Sequence, residues 1–158
     1  MDDQKVMPTK NNIEGQMLVI FGSNGDLARR KLLPSIFQLH ADKLLPENFA
    51  IIGTGSQEKE QSVFRQEVEE SLKKYVKDDS VNDDQTVREF LKKVYYLPVR
   101  NQVEEDFGKL KDYLHSLSTT LNIPRNIIYY FSIPPFLYEV VASNLVKYGL
   151  NRQKDGWK

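Results

Sequence analysis

The chain has 158 residues, 40% of them hydrophobic, with 22 basic and 22 acidic side chains and no cysteine. That length suits one domain around one core, and the balanced charge leaves no global field to hold nucleic acid or an anionic membrane. The missing cysteines exclude disulfides, thiolate metal sites, iron–sulfur clusters and cysteine nucleophiles together.

Residues 1–15 are polar, carry Pro8 and the pair Asn11–Asn12, and read as a flexible lead to a domain over 16–158. No signal-type apolar segment follows the polar start. No apolar run approaches the roughly 20 residues that cross a bilayer. The cytoplasm is the expected setting, with neither a membrane nor a nucleic-acid partner.

Met17–Phe21 is a continuous apolar run ended by Gly22, the pattern of a strand buried on both faces of a parallel sheet. From Asp26 the period becomes helical, with Leu27, Leu32, Leu33, Ile36, Phe37 and Leu39 in phase and Pro34 predicting a bend or restart. Pro46 marks a turn, and Phe49–Ile52 is a second strand ending at Gly53. Residues 58–78 read as a helix with Val63, Phe64, Val68, Leu72 and Val76 along one face. The acidic stretch Asp78–Asp84 is a loop, 86–93 a short helix, and Val94–Val99 a third strand whose Pro98 predicts a sheet edge. A helix over 103–121 follows, broken before Pro124, and then a fourth strand, Ile127–Phe131. Pro135 opens the last helix, which carries Phe136, Val140, Val141, Leu145 and Val146, and Gly149 closes it.

Strands alternating with helices predict an α/β fold: a Rossmann-like, doubly wound parallel sheet with right-handed crossovers. Four strands fit where a complete dinucleotide fold has six. Gly156-Trp157-Lys158 stands where a fifth strand would begin, so the expectation is a partial domain truncated before that strand.

The chemistry concentrates in the turn after the first strand. Gly22 permits a sharp exit, Gly25 leaves the backbone open to a phosphate, and Ala28 lets the helix pack closely on the sheet. The spacing is G-x-x-G-x-x-A. Ser23 and Asn24 offer a hydroxyl and an amide, and the free N–H groups of the helix start face the same spot. Arg29, Arg30 and Lys31 place three cations near a helix N-terminus, each disfavoured there by about 0.3–1 kcal/mol. A bound anion would offset that. No G-x-x-x-x-G-K and no Tyr-x-x-x-Lys spacing occurs, which removes P-loop and short-chain dehydrogenase chemistry.

The stretch Ile20-Phe21-Gly22-Ser23-Asn24-Gly25-Asp26-Leu27-Ala28-Arg29-Arg30-Lys31-Leu32-Leu33-Pro34 closely resembles the opening motif of glucose-6-phosphate dehydrogenases, F-G-x-x-G-D-L-A. The likeness continues through Leu44–Gly53, returns at Asn126–Tyr138 and ends on Gly156-Trp157-Lys158. It implies a coenzyme-binding domain of an enzyme that passes a hydride from C1 of glucose 6-phosphate to a nicotinamide dinucleotide, in the pentose phosphate pathway. The expected cofactor is NADP, with NAD admitted. The resemblance assigns the cofactor site to Gly22, Ser23, Asn24, Gly25, Asp26, Leu27, Ala28 and Arg29, with Ser56 at the 2′-phosphate position and Tyr138 beside the cofactor.

Two departures stand out. Ser56 replaces the family's arginine, so one hydroxyl stands where a guanidinium fork would meet phosphate. Glu58 or Lys59 could turn inward instead. The family's histidine-bearing catalytic segment has no counterpart here. His40 and His115 read as ordinary helix residues, so no catalytic residue and no metal ligand is assigned. The 158 residues alone are expected to be inactive, glucose 6-phosphate and homo-oligomeric assembly belonging to the full-length enzyme. The alternative is a stand-alone, non-catalytic dinucleotide-binding or cofactor-sensing module.

Overall fold

The computed structural model describes residues 13–154 and 156–158. The expected lead lies outside the described residues except for Ile13–Gly15. Of these, Glu14 and Gly15 accept hydrogen bonds from the Asn126 amide at 3.2 and 3.1 Å.

Four strands form, β1 (Gln16–Phe21), β2 (Phe49–Gly55), β3 (Val94–Pro98) and β4 (Ile127–Phe131). They lie in the order β3-β2-β1-β4 with every neighbouring pair parallel. This is the first part of the doubly wound order 3-2-1-4-5-6. β3 takes the edge, as Pro98 predicts. β2 runs beyond Ile52 to Gly55 because Gly53 is a packing position: a Cβ there would lie 2.5 Å from Phe64 Cζ.

Alternate side chains of β1 feed two cores. Met17, Val19 and Phe21 meet Phe107, Leu110 and Leu114 of α4 (Glu104–Leu121) and Val141 and Leu145 of α5 (Tyr138–Lys147). Leu18 and Ile20 face α1 (Leu33–Ala41), α2 (Gln61–Tyr75) and α3 (Asp84–Leu91), which supply Phe37, Phe64, Val68 and Phe90. Helices on both faces make the sheet doubly wound.

Several sequence expectations need correction. The helix after β1 starts at Asp26 as expected, and the restart expected at Pro34 takes the form of a π-helical segment, Ala28–Leu32, from which the α-helix resumes at Leu33. Pro34 has no N–H to offer the preceding turn; the Leu33 N–H bonds the Ala28 carbonyl instead, and Ser35 Oγ donates to the Lys31 carbonyl at 2.7 Å. The acidic loop contains a 3₁₀ turn, Asp79–Asn82, and α3 starts at Asp84 because Asp83 caps it, accepting from the Gln85 and Thr86 N–H groups. Pro135–Leu137 is likewise a 3₁₀ turn, and α5 begins after it. Leu27, Leu39, Val63, Phe136 and Val146, apolar positions in the helical spacing, are exposed. On β4, Ile128 and Tyr130 lie half open to solvent on the side of Leu18 and Ile20.

Candidate functional site

β1 leaves the sheet between the ends of β2 and β4, where the chain winds to opposite faces. Open α/β sheets bind ligands at such a switch point. Gly22 has φ +82°, and a Cβ on it would collide with the main-chain carbonyl of Ser132, the residue after β4. Only glycine fits there. Ser23 is buried and turned inward: its N–H and Oγ both donate to the Thr54 carbonyl, at 3.0 and 2.9 Å. The expectation that it offers a hydroxyl proton to a phosphate is therefore corrected. The proton anchors the loop to β2.

Gly25 closes the turn, its N–H donating to the Gly22 carbonyl at 3.0 Å, and it is exposed. A Cβ there would stand 3.2 Å from the Gly22 carbonyl oxygen and 3.9 Å from that of Ser132. The N–H groups that open the helix have no carbonyl a turn earlier to receive them. Ala28 is fully buried against the sheet, while Asp26 and Leu27 face solvent.

Contrary to the expectation from the sequence, the three cations near the helix start are not left unbalanced. Arg29 pairs with Glu67 at 3.6 Å, and Arg30 with Asp26 at 3.4 Å while lying over the Tyr75 ring. Protein carboxylates already offset two of the three.

At the exit of β2 the structure assembles residues far apart in the chain. Asn24 turns away from the helix start, donating to Tyr96 Oη at 3.3 Å and accepting from Lys59 Nζ at 3.1 Å. Tyr96 donates to the Gln57 carbonyl at 2.7 Å, and burial raises its phenol above the usual range, which keeps that proton in place. Ser56 and Glu58 are exposed; Lys59 is the residue that turns inward. Lys59 could be weighed from the sequence. Glu67 and Tyr96 could not, since no periodicity or spacing connects them to the loop.

On the β4 side, Tyr138 opens α5 with its ring 5.8 Å from Phe131 and 43% of its surface exposed. It stands at the strand ends, off the packed face of α5. Ser132 was not legible in the sequence: its Oγ is buried with no hydrogen-bond partner among the described residues. A buried orphan hydroxyl beside an open glycine turn fits a polar ligand that supplies the missing partner.

The histidines lie elsewhere. His40 sits between Phe37 and Phe90 with Nε2 3.2 Å from the Thr86 carbonyl, and His115 is exposed on α4. The cleft lined by His40, Glu47, Phe49, Glu89 and Lys93 opens at the opposite edge, under the starts of β2 and β3. Among the described residues no group of three or more acidic or histidine side chains could hold a metal ion, and no helix is long and apolar enough to cross a membrane.

The family model described as glucose-6-phosphate dehydrogenase, NAD binding domain, matches residues 19–158. The glucose-6-phosphate 1-dehydrogenase of Treponema pallidum is 34% identical over 142 residues, which cover 90% of this chain and 27% of that protein. The enzyme of the same name from Aggregatibacter actinomycetemcomitans is 33% identical over 145 residues, 92% of this chain and 28% of that protein. A solved glucose-6-phosphate dehydrogenase in complex with its substrate glucose-6-phosphate superposes with a TM-score of 0.79 at 26% identity, over 90% of this chain and 29% of that one. The chain thus spans little more than a quarter of the length of these relatives.

Proposed function

Since the chain belongs to the glucose-6-phosphate dehydrogenase family, within its NAD-binding domain, we propose that it binds a nicotinamide dinucleotide at the C-terminal edge of its sheet. The observation that carries this reading is the turn itself: a glycine exit that admits no side chain, an open Gly25 and the orphan hydroxyl of Ser132, together at the switch point between β1 and β4. The main chain of Gly22–Ala28 and the helix start would hold the pyrophosphate. Ser56 and Asn24 would border the adenosine ribose, and Tyr138 the nicotinamide half. When bound, the cofactor supplies the acceptor for a hydride, which in the longer enzyme comes from C1 of glucose 6-phosphate.

In this reading these residues position and bind, and the one carboxylate among them, Asp26, is exposed and paired with Arg30. Neither histidine stands at the switch point, and the Ser23 proton is committed to β2. The 158 residues alone are therefore expected to bind cofactor without oxidising sugar. Addition of glucose 6-phosphate and NADP is expected to leave the absorbance of reduced nicotinamide flat; steady growth overturns this. A cytoplasmic setting is part of the same reading, supported by a chain without cysteine, and homo-oligomeric assembly of the longer enzyme rests on the family resemblance.

With Ser56 exposed in place of an arginine, NADP and NAD are expected to bind within a hundred-fold of each other. Calorimetric titration with each dinucleotide tests both statements. Saturable binding of either supports the site. A folded chain that binds neither overturns it, and a hundred-fold preference for NADP overturns the weak discrimination.

A further inference from the structure

The cations at the exit of β2 come from elsewhere than position 56, and one carboxylate holds both of them. Lys59 has only 7% of its side chain exposed. Its ammonium donates to Glu67 Oε2 at 2.7 Å and to Asn24 Oδ1 at 3.1 Å, and lies 5.5 Å from the Tyr96 ring centroid. Arg29 reaches the same Glu67 oxygen at 3.6 Å from the helix side. The cluster closes directly over the last residue of β2, where a Cβ on Gly55 would lie 2.5 Å from Asn24 Nδ2 and 3.1 Å from Tyr96 Oη.

An ammonium so covered is costly to desolvate unless it is paired, and Glu67 supplies the pairing. An ammonium also has three protons to donate. Two meet these acceptors, and among the described residues no third acceptor is present. In sheets of this class the exit of β2 is where the adenosine ribose lies: a carboxylate there accepts from a 2′-hydroxyl, and a cation meets a 2′-phosphate.

Resting on the dinucleotide reading above, we infer that the Lys59–Glu67 pair sets the choice between a 2′-hydroxyl and a 2′-phosphate. Lys59 attracts the phosphate. Glu67 weakens that attraction, because it neutralises one of the two cations, and its carboxylate accepts from a hydroxyl. Phosphate therefore meets one net positive charge where it would otherwise meet two. Neither ligand is strongly preferred, although no carboxylate or arginine stands on β2 itself.

The test uses the adenosine halves alone, 2′,5′-ADP and 5′-ADP, titrated at fixed low salt against the wild-type chain, Glu67→Gln, Lys59→Gln and the double substitution. Glu67→Gln is expected to raise the affinity for 2′,5′-ADP at least tenfold relative to 5′-ADP. Lys59→Gln lowers that ratio, and the gain from Glu67→Gln is lost when Lys59 is also replaced. Since the diagnostic effect is a gain, misfolding cannot imitate it. A ratio in Glu67→Gln within twofold of wild type, or a gain that survives in the double substitution, overturns the role of the pair while leaving the dinucleotide site standing. Failure of the folded wild-type chain to bind either nucleotide overturns the dinucleotide reading and this inference with it.

Discussion

Gly22 and Gly25 stand three residues apart and answer to different demands. A side chain at Gly22 would meet the rigid main chain of Ser132 as well as a left-handed backbone. Gly22→Ala is therefore expected to cost about 2–5 kcal/mol, from a backbone penalty near 1–2 and an overpacking penalty of about 1–3; urea unfolding measures it. At Gly25 the nearest atom is 3.2 Å away and the residue is exposed, so Gly25→Ala is expected to keep most of the stability and lose dinucleotide binding. A melting temperature that falls as far as in Gly22→Ala would show the second glycine to be structural. Asp106 carries a prediction of another kind. Its carboxylate accepts from the Arg100 N–H and Nε at 2.9 and 2.8 Å and from Nη2 at 3.0 Å, which holds its pKa at about 2. A depressed folded pKa stabilises above the unfolded value near 3.9 and loses that contribution as pH falls towards 2. With Arg100 more than half exposed, about 1–2 kcal/mol is expected. Wild type should lose that much more stability than Asp106→Asn between pH 5 and 2, and parallel melting curves would refute it.

Among the elements, the strands were legible closely except for β2, which runs on past Ile52 to Gly55, and the helix faces less so. Phe136 shows why. It sits in the 3₁₀ turn Pro135–Leu137, whose three residues per turn shift the phase, so a stripe extrapolated back from Val141 and Leu145 points it the wrong way; it is 79% exposed. Val63 fails more simply, standing one residue ahead of the buried stripe Phe64, Val68 and Leu72. The docking of α4 rests on Phe107, stacked on Phe21 of β1 with centroids 5.9 Å apart and fully buried. Phe107→Ala is expected to cost about 3–5 kcal/mol by denaturant titration. A loss under 1 kcal/mol would mean that α4 is held by other contacts.

For the molecule as a whole, ligand binding and stability are linked. Saturation at a hundred times Kd is worth about 2.7 kcal/mol, which raises the melting temperature of a chain this size by roughly 5–11 °C. That rise is expected with both NADP and NAD, and its absence for both would contradict the proposed site. The sequence by itself determined the four parallel strands, the glycine exit from β1 and the family, because continuous apolar runs and a gapless motif are local patterns read along the chain. It also put Ser56, with a single hydroxyl, just past the end of β2. Only the tertiary structure decided which side chains gather at the exit of β2. Lys59, Glu67, Asn24 and Tyr96 come from a loop, a helix, a turn and a strand, and meet because parallel crossovers return every strand end to the same edge. A charge balance made across such distances leaves no spacing to read, since it depends on where the helices pack and not on their order in the chain.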